Sequence, residues 1–208
     1  MFVLAGCTDI WNRARDYGMG WYQLTQEQKT TCGITVQTTE WPYYVQNTPL
    51  LADNTNLNKD NLVGKVLLLT GKVLDGLSDT GISGAKIEIR QADDQWVYHP
   101  QGNNDYSSYQ PSEVKLRGHI VTDAQWNYML QTIYPGLYEG RARHIHFRVS
   151  AGDTYNPVIT QLILPFDGDM PTPENDNVAQ WLPNCQIISG NKLAETYQLH
   201  FDFRLKAE

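Results

Sequence analysis

The stretch 196–205 alternates without a break: Tyr197, Leu199, Phe201, Phe203 and Leu205 fall on one face, and Gln198, His200, Asp202 and Arg204 on the other. A period of two is the signature of a half-buried β-strand, and one strand cannot bury its apolar face alone. Suitable partners run through the rest of the chain. Residues 63–74 form a long apolar run broken at Gly71, with Asp75-Gly76 as a turn. Residues 85–89 set Lys86 and Glu88 outward against Ile87 and Ile89 inward. Further strands are expected at 95–98, at 116–121 before a Thr122-Asp123 turn, at 128–133, at 144–149, and at 158–164 after Asn156-Pro157. Long helical periods are missing, and threonine and tyrosine are plentiful. Short strands with frequent turns and no interleaved helices predict an all-β fold, a β-sandwich of two mainly antiparallel sheets with long loops. The proline- and asparagine-rich connection 167–190 is long enough to be functional.

At 208 residues the chain is one domain with arms. Its formal net charge of −7 and scattered basic residues argue against a nucleic-acid surface. No apolar run reaches the roughly 18 residues of a membrane-spanning helix. Residues 1–7 end in Leu4-Ala5-Gly6-Cys7, the pattern of a lipoprotein cleavage box, without the charged start of a full signal. They are read as a truncated signal, with a lipid anchor at Cys7 and an extracytoplasmic location. Cys32 and Cys185 would then remain as an even pair able to form a disulfide outside the cytoplasm. Residues 8–38 read as a polar N-terminal arm, and 39–208 as the folded domain.

Within 144–149, His144, His146 and Arg148 share a face opposite Ile145, Phe147 and Val149. Two imidazoles two residues apart on a strand stand about 7 Å apart at the backbone, a spacing suited to neighbouring ligands of one metal ion. Two phenols, Tyr98 and Tyr138, lie at strand ends upstream. A phenol keeps its proton to about pH 10 unless a strongly Lewis-acidic ion displaces it. Hard anionic oxygen with imidazole suits Fe(III) better than zinc or copper(I), provided the four side chains converge.

The chain here resembles the intradiol ring-cleavage dioxygenases. The resemblance is carried by Pro42-Tyr43-Tyr44, Gly71-Lys72-Val73-Leu74-Asp75, Gly84-Ala85-Lys86-Ile87-Glu88-Ile89, Gln91-Ala92-Asp93, Val97-Tyr98, Tyr134-Pro135-Gly136-Leu137-Tyr138, Gly140-Arg141-Ala142-Arg143-His144-Ile145-His146 and Thr160-Gln161-Leu162, in that order. It implies Fe(III) held by Tyr98, Tyr138, His144 and His146, with hydroxide completing the site. It further implies Arg141 and Gln161 beside the substrate, and Tyr43 or Tyr44 lining its pocket. Tyr138 would leave the metal and take a proton when a catechol-type diol binds. The implied reaction inserts both atoms of O2 between the diol carbons and yields a cis,cis-muconate-type diacid. The likeness is strongest to the compact, secreted members. It leaves open which catechol is cleaved and whether the protein is a homodimer.

The departures are informative. Trp41, Trp96 and Trp126 stand where the family has glycine. Glycine serves positive φ or crowded backbone, so three tryptophans in such places suggest either UGA codons that the source organism reads as glycine or genuine substitutions that remodel the pocket mouth at some loss of stability. Arg90 stands where the family usually has tryptophan. Two other readings remain: a non-catalytic β-sandwich binding module on the cell surface, and a zinc hydrolase built on His144 and His146. The second lacks a water-activating carboxylate at a motif position.

Overall fold

Strand β1 (Val66–Asp75) is the hub of one sheet in this computed structural model, which describes residues 33–38, 43–137, 140–164, 172–188, 191–193 and 196–208. Leu67, Leu68 and Leu69 are all buried, as expected of a strand covered on both faces. On one edge β1 pairs antiparallel with β4 (Asn127–Ile133). On the other edge it pairs in parallel with β8 (Thr196–His200) and then β9 (Phe203–Leu205). A short strand β7 (Asn191–Leu193) extends this sheet on β8.

The stretch 196–205 keeps its alternation but not its continuity. Phe201 and Asp202 interrupt the ladder: the Phe201 amide donates to the Thr70 carbonyl, and the Lys72 amide to Asp202 Oδ1 at 2.8 Å. A side chain at Gly71 would place its Cβ 1.7 Å from the Phe201 carbonyl oxygen, so the crossing requires glycine there.

The second sheet has the order β3-β2-β5-β6, from Arg117–Val121, Lys86–Arg90, His144–Ser150 and Val158–Ile163. All its pairings are antiparallel. Its inner face supplies Ile87, Ile89, Ile120, Ile145, Phe147 and Leu162 to a core completed by Leu69, Leu130, Leu199 and Phe203. Phe203 sits at the centre, with ring centroids 5.2 Å from Phe147, 5.0 Å from Phe201 and 5.6 Å from Tyr128. The β-sandwich expected from the alternation is the fold observed.

One expectation needs correcting. Residues 95–98 are not a strand: Asp93 Oδ1 accepts from the amides of Gln95 and Val97, and Trp96 has a φ of 60°. A side chain that satisfies local amides offers the backbone an alternative to a ladder. The connection between β6 and β7 holds three 3-10 turns, Pro173–Asn175, Ala179–Trp181 and Asn184–Gln186.

The segment 33–38 is tied to the sandwich by Thr35 N–H to the Arg204 carbonyl at 2.9 Å and Thr38 N–H to the Ile159 carbonyl at 2.7 Å. Cys185 is disulfide-bonded, while Cys7, Cys32, Trp41 and Tyr138 lie outside the described residues. Among the described residues no helix is long and apolar enough to cross a membrane.

Candidate metal centre

The register of the second sheet places Arg117 opposite Arg90, Arg90 opposite His146, and His146 opposite Gln161. These four residues form a polar row across β3, β2, β5 and β6 on the face turned away from the core. Directly opposed Cβ atoms in antiparallel strands lie about 5 Å apart, so the row is a continuous surface of charge and imidazole. His144 and His146 share that face, with ring centroids 4.9 Å apart and planes at 86°. Both are buried.

Tyr98 reaches the row from a loop rather than a strand. Its ring centroid is 6.2 Å from that of His146 and 5.7 Å from that of Tyr43. The loop is braced on both sides. Asp93 Oδ2 meets His99 Nε2 at 2.8 Å. Arg117 donates through Nε to the His99 carbonyl at 3.0 Å, through a terminal nitrogen to the Pro100 carbonyl at 2.9 Å, and to the Tyr43 carbonyl. Gly136 lets a second turn close on this loop: its amide donates to the Asp93 carbonyl at 2.7 Å, and a Cβ there would lie 2.4 Å from the Trp96 nitrogen.

The electrostatics favour neutral imidazole. Burial, and then Arg141, lowers the pKa of His144 to about 4. Burial, and then His144 and Arg90, takes His146 well below its ordinary value. His144 Nδ1 lies 2.7 Å from the Ala142 carbonyl oxygen, which makes Nδ1 the protonated nitrogen and leaves Nε2 with its lone pair. His146 Nδ1 is buried without a hydrogen-bond partner. An orphaned ring nitrogen costs about 1–3 kcal/mol unless something coordinates or donates to it, so the site fits an electron-pair acceptor. The Arg117 guanidinium centre lies 5.7 Å from the centroid of the Tyr98 ring. Among the described residues no three His, Cys, Asp or Glu side chains gather as a metal cluster.

Beside the imidazoles, Arg141 is held at both ends. Its Nε donates to Asp176 Oδ2 at 2.8 Å and a terminal nitrogen donates to Gln161 Oε1 at 2.8 Å. Asp176 is wholly buried and also accepts from the amides of Ala142, Val178 and Ala179. Burial alone would raise its pKa, but these donors outweigh it and hold the carboxyl below its ordinary range. Residue patterns do not single out Asp176. Its only local signal is an aspartate capping the turn that follows, which says nothing of a distant arginine.

Of the residues singled out in the sequence, Tyr98, His144, His146, Arg141, Gln161 and Tyr43 are brought together, and Tyr138 lies outside the described residues. Tyr44 stands one step along the same face, its hydroxyl 3.3 Å from Glu88 Oε1 and 3.1 Å from an Arg148 terminal nitrogen. Arg143 turns away, donating to the Pro135 carbonyl at 2.6 Å and stacking on Tyr134. A shallow cleft opens beside His146, lined by Tyr44, Thr48, Glu88, Arg90 and Arg117 among others.

Known proteins share this fold and parts of this sequence. A family model described as "Dioxygenase" matches residues 39–207. The chain is 28% identical over 156 residues to catechol 1,2-dioxygenase of Candida albicans, an alignment covering 66% of this chain and 48% of that protein. It is 29% identical over 193 residues to chlorocatechol 1,2-dioxygenase of Rhodococcus opacus, covering 79% and 70% respectively. The chain thus spans about half the length of the Candida relative. Among solved structures, the dioxygenase domain of a dioxygenase and carbohydrate-binding protein fusion from Streptomyces sp. SirexAA-E matches with a TM-score of 0.67 at 27% identity, covering 84% of this chain and 99% of that one. On the family match, the fold and the residues gathered at one sheet face, the chain belongs to the intradiol ring-cleavage dioxygenase family.

Proposed function

We propose that the protein is a non-haem Fe(III) intradiol dioxygenase that opens a catechol-type ring with O2 to give a muconate-type diacid. The observation that carries this reading is the convergence of Tyr98, His144 and His146 on one desolvated face, with both imidazoles neutral and one ring nitrogen orphaned. Tyr98, His144 and His146 would hold the metal, and Tyr138 joins them by its place in the sequence motif. Ferric iron, when bound, supplies Lewis acidity toward the diol oxygens and accepts electron density from the ring.

The remaining work falls to the chain's own groups. His144 keeps its orientation through the Ala142 carbonyl. Arg117 fixes the backbone that follows Tyr98 through the His99 and Pro100 carbonyls. Arg141, clamped between Asp176 and Gln161, presents a preorganised positive charge to negative charge building on the ring. Tyr43 packs against Tyr98 and offers an aromatic wall to a planar substrate.

The disulfide at Cys185 supports the extracytoplasmic location read from the cysteine count. The decisive experiment is aerobic incubation of iron-loaded protein with catechol, protocatechuate and hydroxyquinol, following oxygen uptake and ring-opened diacid. An enzyme of this kind is burgundy from its tyrosinate-to-iron transition and consumes one O2 per diol. A colourless protein that binds catechol without consuming O2 would instead be a binding module.

A further inference from the structure

Gln161, which holds one end of Arg141, lies on β6, the last strand of the second sheet. A strand at a sheet edge leaves a row of backbone carbonyls without a neighbouring strand, and buried ones must find donors elsewhere. Two segments distant along the chain supply them here. The Thr38 amide donates to the Ile159 carbonyl at 2.7 Å, and the Ile188 amide to the Ile163 carbonyl at 2.8 Å. Between these, the Gln161 carbonyl is faced by a side chain, Gln186 Nε2 at 3.4 Å.

Gln186 is 1% exposed and closes a ring of hydrogen bonds at this edge. The Val36 amide donates to Gln186 Oε1 at 2.8 Å, Gln186 Nε2 donates to Thr160 Oγ1 at 2.8 Å, and the Thr160 hydroxyl donates to the Val36 carbonyl at 2.7 Å. Loss of the Gln186 amide takes the acceptor from Val36 and the donor from a wholly buried threonine.

The ring bears on the candidate site because little else steadies Gln161. Its Oε1 accepts from Arg141 at 2.8 Å, while its Nε2 is buried without a hydrogen-bond partner. The backbone of β6 therefore sets where this side chain stands. The connection that carries Gln186 also carries Asp176, which holds Arg141 Nε, and Cys185 next to Gln186 is disulfide-bonded. Both ends of the Arg141 clamp thus depend on the one stretch 176–186.

Building on the ring-cleavage reading above, we infer that Gln186 is a positioning residue for that reaction: it fixes β6 at Gln161 and, through Gln161, the guanidinium of Arg141. The segment 33–38 belongs to the same support through Val36.

The test uses the full chain reconstituted with iron, and a double-mutant cycle between Gln186 and Gln161. The substrate is whichever of catechol, protocatechuate and hydroxyquinol the wild type turns over fastest. Gln186→Met keeps the length of the side chain and removes its hydrogen bonds. It is expected to lower kcat by about tenfold, with KM altered by less than about threefold and iron content unchanged. In a Gln161→Met background the same substitution is expected to change kcat by less than about twofold, because the residue through which it acts is gone. Where steady-state rates are too low, decay of the preformed protein–diol complex on mixing with O2 reads the same ratio in a single turnover. In the metal-free protein, amide hydrogen exchange across 159–163 is expected to be faster in Gln186→Met than in wild type. Equal losses of kcat in both backgrounds overturn the inference, as does an unchanged kcat or unchanged exchange in Gln186→Met. Should Gln186→Met fail to fold, Thr160→Val takes its place in the cycle, with the same outcomes on either side. A wild type that binds iron and consumes none of the three diols removes the ring-cleavage reading itself, and this inference with it.

Discussion

Asp176 accepts a hydrogen bond from Arg141 Nε at 2.8 Å and another from the Ala142 amide at 2.6 Å, although it lies on a different segment from both. One carboxylate thereby sets the guanidinium beside the candidate metal centre and the backbone that holds His144, since the Ala142 carbonyl faces His144 Nδ1. Asp176→Asn retains the shape and removes the charge. It is expected to lower kcat by about tenfold or more through misplacement of Arg141, with a smaller change in KM. Asp176→Ala leaves the amides of Ala142, Val178 and Ala179 without an acceptor and is expected to destabilise the fold by about 3 kcal/mol or more. Steady-state kinetics and thermal unfolding separate the two effects.

Tyr98→Phe removes a phenolic oxygen and little else, because the ring stays packed between Tyr43 and His146. Iron content per chain and the visible absorption band are both expected to fall sharply, with the melting temperature of the metal-free protein nearly unchanged. Unaltered iron content would remove Tyr98 from the ligand set.

The protein without bound metal is expected to lose stability as pH falls from 6.5 towards 4. The pKa of His144 drops from 6.5 to about 4 on folding, chiefly through burial and then Arg141. A depressed value means that the folded state prefers the neutral ring. The stabilisation is therefore fully present above pH 6.5 and is lost as pH falls through about 4. A shift of this size corresponds to about 3 kcal/mol. Chemical unfolding of His144→Gln and wild type across this range checks it, since the variant's curve should be flatter.

Trp96 and Trp126 occupy twin loops. In each, an aspartate three residues earlier accepts from two following amides, Gln95 and Val97 in one case and Gln125 and Asn127 in the other. Each tryptophan is left-handed, with φ of 60° and 70°. That conformation costs a non-glycine residue about 1–2 kcal/mol. Trp96 is 49% exposed, so Trp96→Gly, which relieves the left-handed strain, is expected to raise the melting temperature. Trp126 lies over Gly81 and beneath Lys72, whose ammonium is 5.7 Å from the ring, so Trp126→Gly gains less. Mass spectrometry of the protein from its natural source is expected to find glycine at both positions; tryptophan at both would end the recoding reading.

The sequence alone determined the strands whose side chains alternate, because a period of two can be satisfied only by a sheet with one face buried. It therefore specified the sandwich, the shared face of His144 and His146, and the turns at Asp75-Gly76 and Thr122-Asp123. It also marked Trp96 and Trp126 as standing where the backbone is left-handed. It was silent wherever function depended on a partner distant along the chain. The row from Arg117 through Arg90 and His146 to Gln161 exists only because β3, β2, β5 and β6 pair in one register. Asp176 meets Arg141 only because a connection without periodicity folds back across β5 and β6. Residues 95–98 read as a strand and fold as a loop, since Asp93 supplies by side chain the acceptor a ladder would have provided. Periodicity records which face a residue shows its own neighbours; which distant charge it meets is decided by packing, and packing leaves no period behind.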